Sequence, residues 1–116
     1  MGFYKTKNIY KVTRMTGSQN NILGVSFSEK HIEECEIEII EWDFSSNANE
    51  KIRTSKELVI KQVMTGLNNV NESLNTNYKL SRIYFSPFDS DSNSVYSLLI
   101  CKLIRHYHDG NKFTGT

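Results

Sequence analysis

A chain of 116 residues, 38% hydrophobic and 11% aromatic, is long enough for one domain with a core of its own. Fourteen Lys and Arg against thirteen Asp and Glu leave a formal net charge of +1, which excludes a disordered polyelectrolyte and a generally basic or acidic protein. No stretch approaches the ~18 apolar residues of a membrane-spanning helix. The start MGFYKTKNIYK has no uninterrupted apolar segment of the kind a secretory signal needs, so a cytoplasmic protein is expected.

In chain order, NIYKVTRM (8–15) and ILGVSFS (22–28) are short, β-branched and aromatic. The turn-forming TGSQNN between them makes them a hairpin, with Tyr10 and Val12, then Leu23, Val25 and Phe27, on an apolar face and a solvated face behind. EECEIEIIEWDF (33–44) is expected to be the third strand, because an apolar spacing of two would scatter these residues around a helix. Cys35, Ile37 and Ile39 share one face, with Glu34, Glu36 and Glu38 on the other. Ile40, Trp42 and Phe44 then take the opposite phase, so a bulge or bend is expected at Ile39–Ile40.

After SSNANEKIR the period lengthens. Thr54 and Glu57 have the spacing of a capping box, and Ile60, Val63, Met64, Leu67, Val70 and Leu74 follow at threes and fours. Gly66 and the Asn-rich second half weaken this helix, so fraying is expected near residue 75. LSRIYFSPF (80–88) reads as a fourth strand closed by Pro87. DSDSNS supplies N-caps for a second, more apolar helix through Val95, Leu98, Leu99, Leu103 and Tyr107, stopped by Gly110. The expectation is a single α+β domain over residues 1–116 in the order βββαβα, with a mainly antiparallel sheet, two helices on one face and a loose tail at 111–116.

Signals for chemistry are weak. His106 and His108 are two apart on a helix end and splay by about 200°, so they cannot chelate one metal, and His31 is remote in sequence. The run from Asp89 through Asp91 to Asn93 opens like a calcium loop, but Ser94 stands where glycine is needed and Ile100 where the closing glutamate belongs. The glycines are scattered, and no serine or cysteine has the setting of a nucleophile. Cys35 and Cys101 lie in apolar patterns and are expected as reduced core thiols. No enzyme, cofactor or metal site is expected.

Charge is distributed unevenly. Seven of the thirteen acids fall between Glu29 and Asp43, with Lys30 the only Lys or Arg among them. Either basic side chains of neighbouring strands pair with this row, or the row faces a basic partner and steers its approach. The second case makes Glu34, Glu36, Glu38, Glu41 and Asp43 the partner-binding residues, with Trp42 an aromatic anchor if it is exposed. An alternative partner is nucleic acid or a nucleotide. Residues 1–28 hold Lys5, Lys7, Lys11 and Arg14 with no acid, interleaved with Phe3, Tyr4 and Tyr10, and Arg82 and Arg105 could join them. A phage-type inhibitor or nucleotide-sequestering protein would share these features.

The ending IYFSPFDSDSNSVYSLLICKLIRHYHDG, together with chain length and Asn content, resembles small bacterial immunity proteins of contact-dependent growth inhibition systems. That resemblance implies a cytosolic protein that binds the C-terminal domain of a cognate toxin, often a nuclease, and neutralises it. The family's residues do not transfer by position, so the binding surface is expected from charge alone.

Overall fold

The computed structural model describes residues 1–16, 19–30, 33, 36–41, 55–86 and 95–115. The elements are β1 (Gly2–Thr6), β2 (Ile9–Thr16), β3 (Gln19–Ser28), β4 (Glu38–Glu41), α1 (Lys56–Leu74), β5 (Lys79–Phe85), α2 (Val95–His108) and β6 (Thr114–Gly115). The fold is α+β, with a six-stranded sheet in the order β4-β5-β3-β2-β1-β6. β1–β2, β2–β3 and β3–β5 are antiparallel, whereas β4–β5 and β1–β6 are parallel.

The expected order βββαβα and mainly antiparallel sheet are therefore corrected to ββββαβαβ and a mixed sheet. The reason is connectivity: α1 carries the chain from β4 to β5, and a strand joined through a helix to its neighbour returns parallel. The expected hairpin is present in β2 and β3, but a strand precedes it. Thr6 pairs with Ile9, leaving Lys7 and Asn8 as the link, with Lys7 in the left-handed region at φ 55°.

One apolar cluster joins alternate residues of β2, β3 and β5 (Val12, Leu23, Val25, Ile83, Phe85) to both helices. Each fully buried Leu, Ile or Phe there contributes about 1.5–3 kcal/mol. The opposite face is less solvated than expected. Register places Gly24, Ser26 and Tyr84 on it, and all three are buried.

β4 differs from the expected strand in two ways. It begins later: the Glu36 amide donates to Glu33 O at 2.9 Å in a turn, and Ile37 is buried ahead of the strand. It also carries no bulge, since Glu38, Ile39, Ile40 and Glu41 pair in unbroken register with Arg82, Ile83, Tyr84 and Phe85. Ile39 joins the core while Ile40 sits opposite Tyr84 on the other face, so both isoleucines have apolar neighbours without an inserted residue. The irregularity lies instead between β3 and β5. Ser26 pairs with Arg82 and Phe27 with Leu80, leaving Ser81 as the extra residue, and its hydroxyl donates to Ser26 O at 3.3 Å.

α1 starts one residue later than the capping box implied. Ser55 is the N-cap, its Oγ accepting from the Leu58 amide at 3.2 Å; Thr54 lies outside the described residues. The helix does not fray at its end. Asn75 takes the left-handed cap at φ 55°, and the Thr76 amide donates to Asn71 O at 2.9 Å. Asn71 then ties down the turn into β5. Its Oδ1 accepts from the Tyr78 amide and the Thr76 hydroxyl, both at 2.9 Å, and its Nδ2 donates to Tyr78 O at 3.0 Å. Asparagines that are poor inside a helix are good at ending one.

α2 packs against α1 through small residues. The Ser97 hydroxyl donates to Gln62 O at 2.6 Å and the Cys101 thiol to Gly66 O at 3.3 Å, so two four-residue rows meet backbone to side chain. Gln62 Oε1 also accepts from the Tyr96 amide at 3.0 Å, satisfying a donor that the first turn of α2 would leave open. Gly110 stops α2 as expected, at φ 73°. After Gly110, Phe113 packs against the core and Thr114–Gly115 pairs with β1.

Gly66 is needed for closeness, not for an unusual backbone. A β-carbon there would lie 2.5 Å from Ile100 Cγ2 and 2.6 Å from Ser97 O. Gly66→Ala is expected to destabilise the fold by about 1–3 kcal/mol through overpacking, outweighing a helix-propensity gain of about 1 kcal/mol. Urea unfolding followed by circular dichroism measures the balance, and a stabilised variant would contradict the close crossing.

Candidate functional site

β4 forms one end of the sheet order, so only one of its edges is paired among the described residues. Glu36, Glu38 and Glu41 are all exposed there. They do not form the single row that a bulge at Ile39–Ile40 would have given. Glu36 belongs to the turn before the strand. Glu38 shares the face of Arg82 and Tyr84, while Glu41 lies opposite Phe85 on the helix side. The acids therefore wrap around an edge. Glu34, Trp42 and Asp43, the remaining expected binding residues, lie outside the described residues, as does His31.

Arg82 is the basic residue that meets this edge, with its Nε 3.4 Å from Glu38 Oε2; the two side chains are 48% and 63% exposed. Tyr84, by a hydrogen bond, and then Glu38, by charge, hold the Arg82 guanidinium above its ordinary range. Such an exposed pair stabilises little and is screened by salt. The carboxylates of Glu36 and Glu41 have no ion-pair partner among the described residues.

The expectation that N-terminal basic strands flank the acids is corrected. β5 and β3 stand between β4 and β2, a separation of three strand spacings or about 14 Å, well beyond the screening length of about 8 Å at physiological salt. Among the described residues, the β4 glutamates are not placed to pair across the ladder with Lys5, Lys7, Lys11 or Arg14. By the same token, the β4 glutamates are too far from β1 and β2 to repel phosphate there.

The basic residues do not converge on one surface. Lys5 lies 5.0 Å from the Tyr10 ring centroid, whereas Lys11, opposite Tyr4 and Gly24, is on the other face of the sheet. Arg105 Nη2 donates to Ser73 Oγ at 3.0 Å, and Arg82 is beside Glu38. Nor are the faces of Phe3 and Tyr10 free. Phe3 is stacked on His106 at 3.8 Å and 6°, and Tyr10 meets Phe27, Tyr107 and Phe113 edge-on at 5.2, 5.2 and 5.0 Å. A base-stacking platform needs open ring faces.

Both C-terminal histidines make polar contacts within the fold. His106 Nε2 lies 2.7 Å from Lys112 O, and because a carbonyl only accepts, that nitrogen carries the proton. His108 Nδ1 is 2.9 Å from the Tyr78 hydroxyl. No cluster of three metal-ligating side chains occurs among the described residues, and no described helix is long and apolar enough to cross a membrane. A cleft of about 150 Å³ between α1 and β5, lined by Met64, Asn68, Asn71 and Tyr78 among others, is smaller than the ~300–1,000 Å³ of typical ligand sites. Sequence reading passed over the aromatic group around Phe113. Its trace was HYHDGNKF, four aromatic or imidazole rings within eight residues on either side of a glycine turn.

Cys101 is a free thiol pushed above its ordinary range by burial, against the opposing pull of Arg105 and Lys102. Alkylation at pH 7, mapped by peptide mass, is therefore expected to modify Cys101 more slowly than an unstructured cysteine; equal rates would contradict this. Comparison with known protein families, curated proteins and solved structures found no match for this chain.

Proposed function

We propose that the chain is a non-enzymatic binding module that neutralises a basic protein partner through its acidic edge. The specific reading is a cytoplasmic immunity protein that occludes the active-site cleft of a cognate toxin domain, a nuclease by preference. The observation that carries it is the exposure of Glu36, Glu38 and Glu41 around a strand with one unpaired edge. A nuclease cleft must attract phosphates, so carboxylates can occupy the same positions, steering approach at long range and replacing phosphate at contact. Glu38 can exchange its exposed Arg82 partner for an incoming cation at little cost.

The same charges have a second effect that does not compete with the first. Glutamates on an edge strand repel another copy of that strand and so prevent edge-to-edge pairing. A surface that rejects itself and accepts a basic partner is specific by charge sign. The nucleic-acid reading gains from the distance between β4 and the hairpin. It loses more, because the cations are dispersed and the rings of Phe3 and Tyr10 are packed within the fold.

A toxin gene beside the coding sequence is expected, and co-expression of this chain should restore growth to cells making its toxic domain. Combined Glu36→Gln, Glu38→Gln and Glu41→Gln is expected to slow association with that domain by about tenfold at low salt and flatten the salt dependence. Unchanged association kinetics, or tight binding of a single-stranded oligonucleotide in place of the toxin, would overturn the reading.

A further inference from the structure

The opposite end of the sheet is built differently. β6 makes only two register pairs with β1, Tyr4 with Thr114 and Lys5 with Gly115, and both of its residues are exposed. Two pairs hold a strand weakly, since each hydrogen bond is worth a net ~0.5–1.5 kcal/mol. The anchor lies just before it. Phe113 inserts among three rings, edge-on to Tyr10 at 5.0 Å, His106 at 4.8 Å and Phe3 at 6.2 Å. The stacked Phe3 and His106 form the floor of this cradle, and the proton on His106 Nε2 is donated to Lys112 O, fixing the residue before Phe113. Gly110, in the left-handed region, turns the chain back from α2 toward β1.

This is the arrangement of a bound peptide: an extended segment lies along a sheet edge and drops one side chain into a pocket. The segment here is the chain's own. β1 spans five residues, and at its start Gly2 and Phe3 have no strand on their outer side among the described residues. A longer strand could therefore form more ladder bonds than β6 does. Lys5 and Lys7 are exposed beside it, so an acidic residue in the register of Gly115 would face Lys5.

We propose that the β1 edge and its aromatic cradle are a docking site for an extended partner segment carrying an aromatic residue followed by an acidic one, and that residues 111–115 occupy this site as a displaceable internal ligand. The partner strand runs parallel to β1, as β6 does, with its aromatic ring in the place of Phe113. This site is independent of the acidic edge, since β4 and β6 stand at opposite ends of the sheet.

The test uses the full chain and three labelled hexapeptides: the sequence of residues 111–116 (NKFTGT), the same peptide with aspartate for its glycine, and the same with alanine for its phenylalanine. Phe113→Ala empties the cradle and is expected to bind NKFTGT about tenfold more tightly than the unaltered chain, whose own tail competes at an effective concentration of order mM. The aspartate peptide should bind more tightly still, by a margin that shrinks with salt, and the alanine peptide should not bind. In the unaltered chain, an excess of the aspartate peptide should move the Thr114 and Gly115 amide resonances to free-chain positions and speed their hydrogen exchange. This second measurement decides the matter if Phe113→Ala fails to fold. Absence of binding to a folded Phe113→Ala chain, equal binding of the alanine peptide, or tail amides unmoved by excess peptide would each overturn the proposal.

Discussion

The pairing of β5 on both of its edges is the constraint from which the rest of the arrangement follows. Leu80, Ile83 and Phe85 point into the core, while the backbone is bonded to β3 on one side and β4 on the other. Because β4 reaches β5 only through α1, the two must run parallel, and α1 must lie on the core face to make the crossover. α2 leaves the end of β5 and returns over the same face, where the core already joins it to α1. The place left for the acidic strand is an outer edge, and the place left for the basic strands β1 and β2 is beyond β3. Two strands, β5 and β3, thus separate the two charge populations that a simple meander would have set side by side.

The helix pair shows how this layer tolerates polar groups. Ser97 and Cys101 donate to carbonyls of α1, and Gln62 reaches the first turn of α2, so each polar atom at the crossing has a partner. Close approach makes those bonds possible, and Gly66 makes the close approach possible. Glycine costs about 1 kcal/mol in an isolated helix. Here that cost is offset by packing and bonds that any larger residue would push apart.

Periodicity was enough to find β2, β3 and both helices, because each has a long apolar repeat with one face to bury. It was not enough for β1 or β6, whose few residues carry too little pattern and are held by pairing and by a ring cradle instead. Consecutive Ile39 and Ile40 suggested a bulge on the assumption that one sheet face is wet. Tyr84 gives that face an apolar neighbour, so a regular strand accommodates both. Asn71 and Asn75 looked like weak helix interior, since sequence shows their propensity but not the turn they close. The acidic segment was visible as a charge cluster, and Glu36, Glu38 and Glu41 are exposed as expected. Their wrapping around an edge, and their distance from the hairpin, depend on sheet order, which local sequence does not encode.

Sheet order also decides which surfaces remain for recognition. One face is committed to the helices, and the centre of the other is buried at Gly24, Ser26 and Tyr84. Among the described residues the sheet also ends in two edges, and an unprotected strand edge pairs with whatever strand it meets. The two are protected by different physics. β4 carries charge, which excludes a copy of itself but is neutralised by a partner of opposite sign. β1 carries a short strand of its own chain, held by two register pairs and by the Phe113 ring in its cradle. Under the two proposals, the charge that discourages self-pairing at β4 and the strand that covers β1 are also what would select each partner.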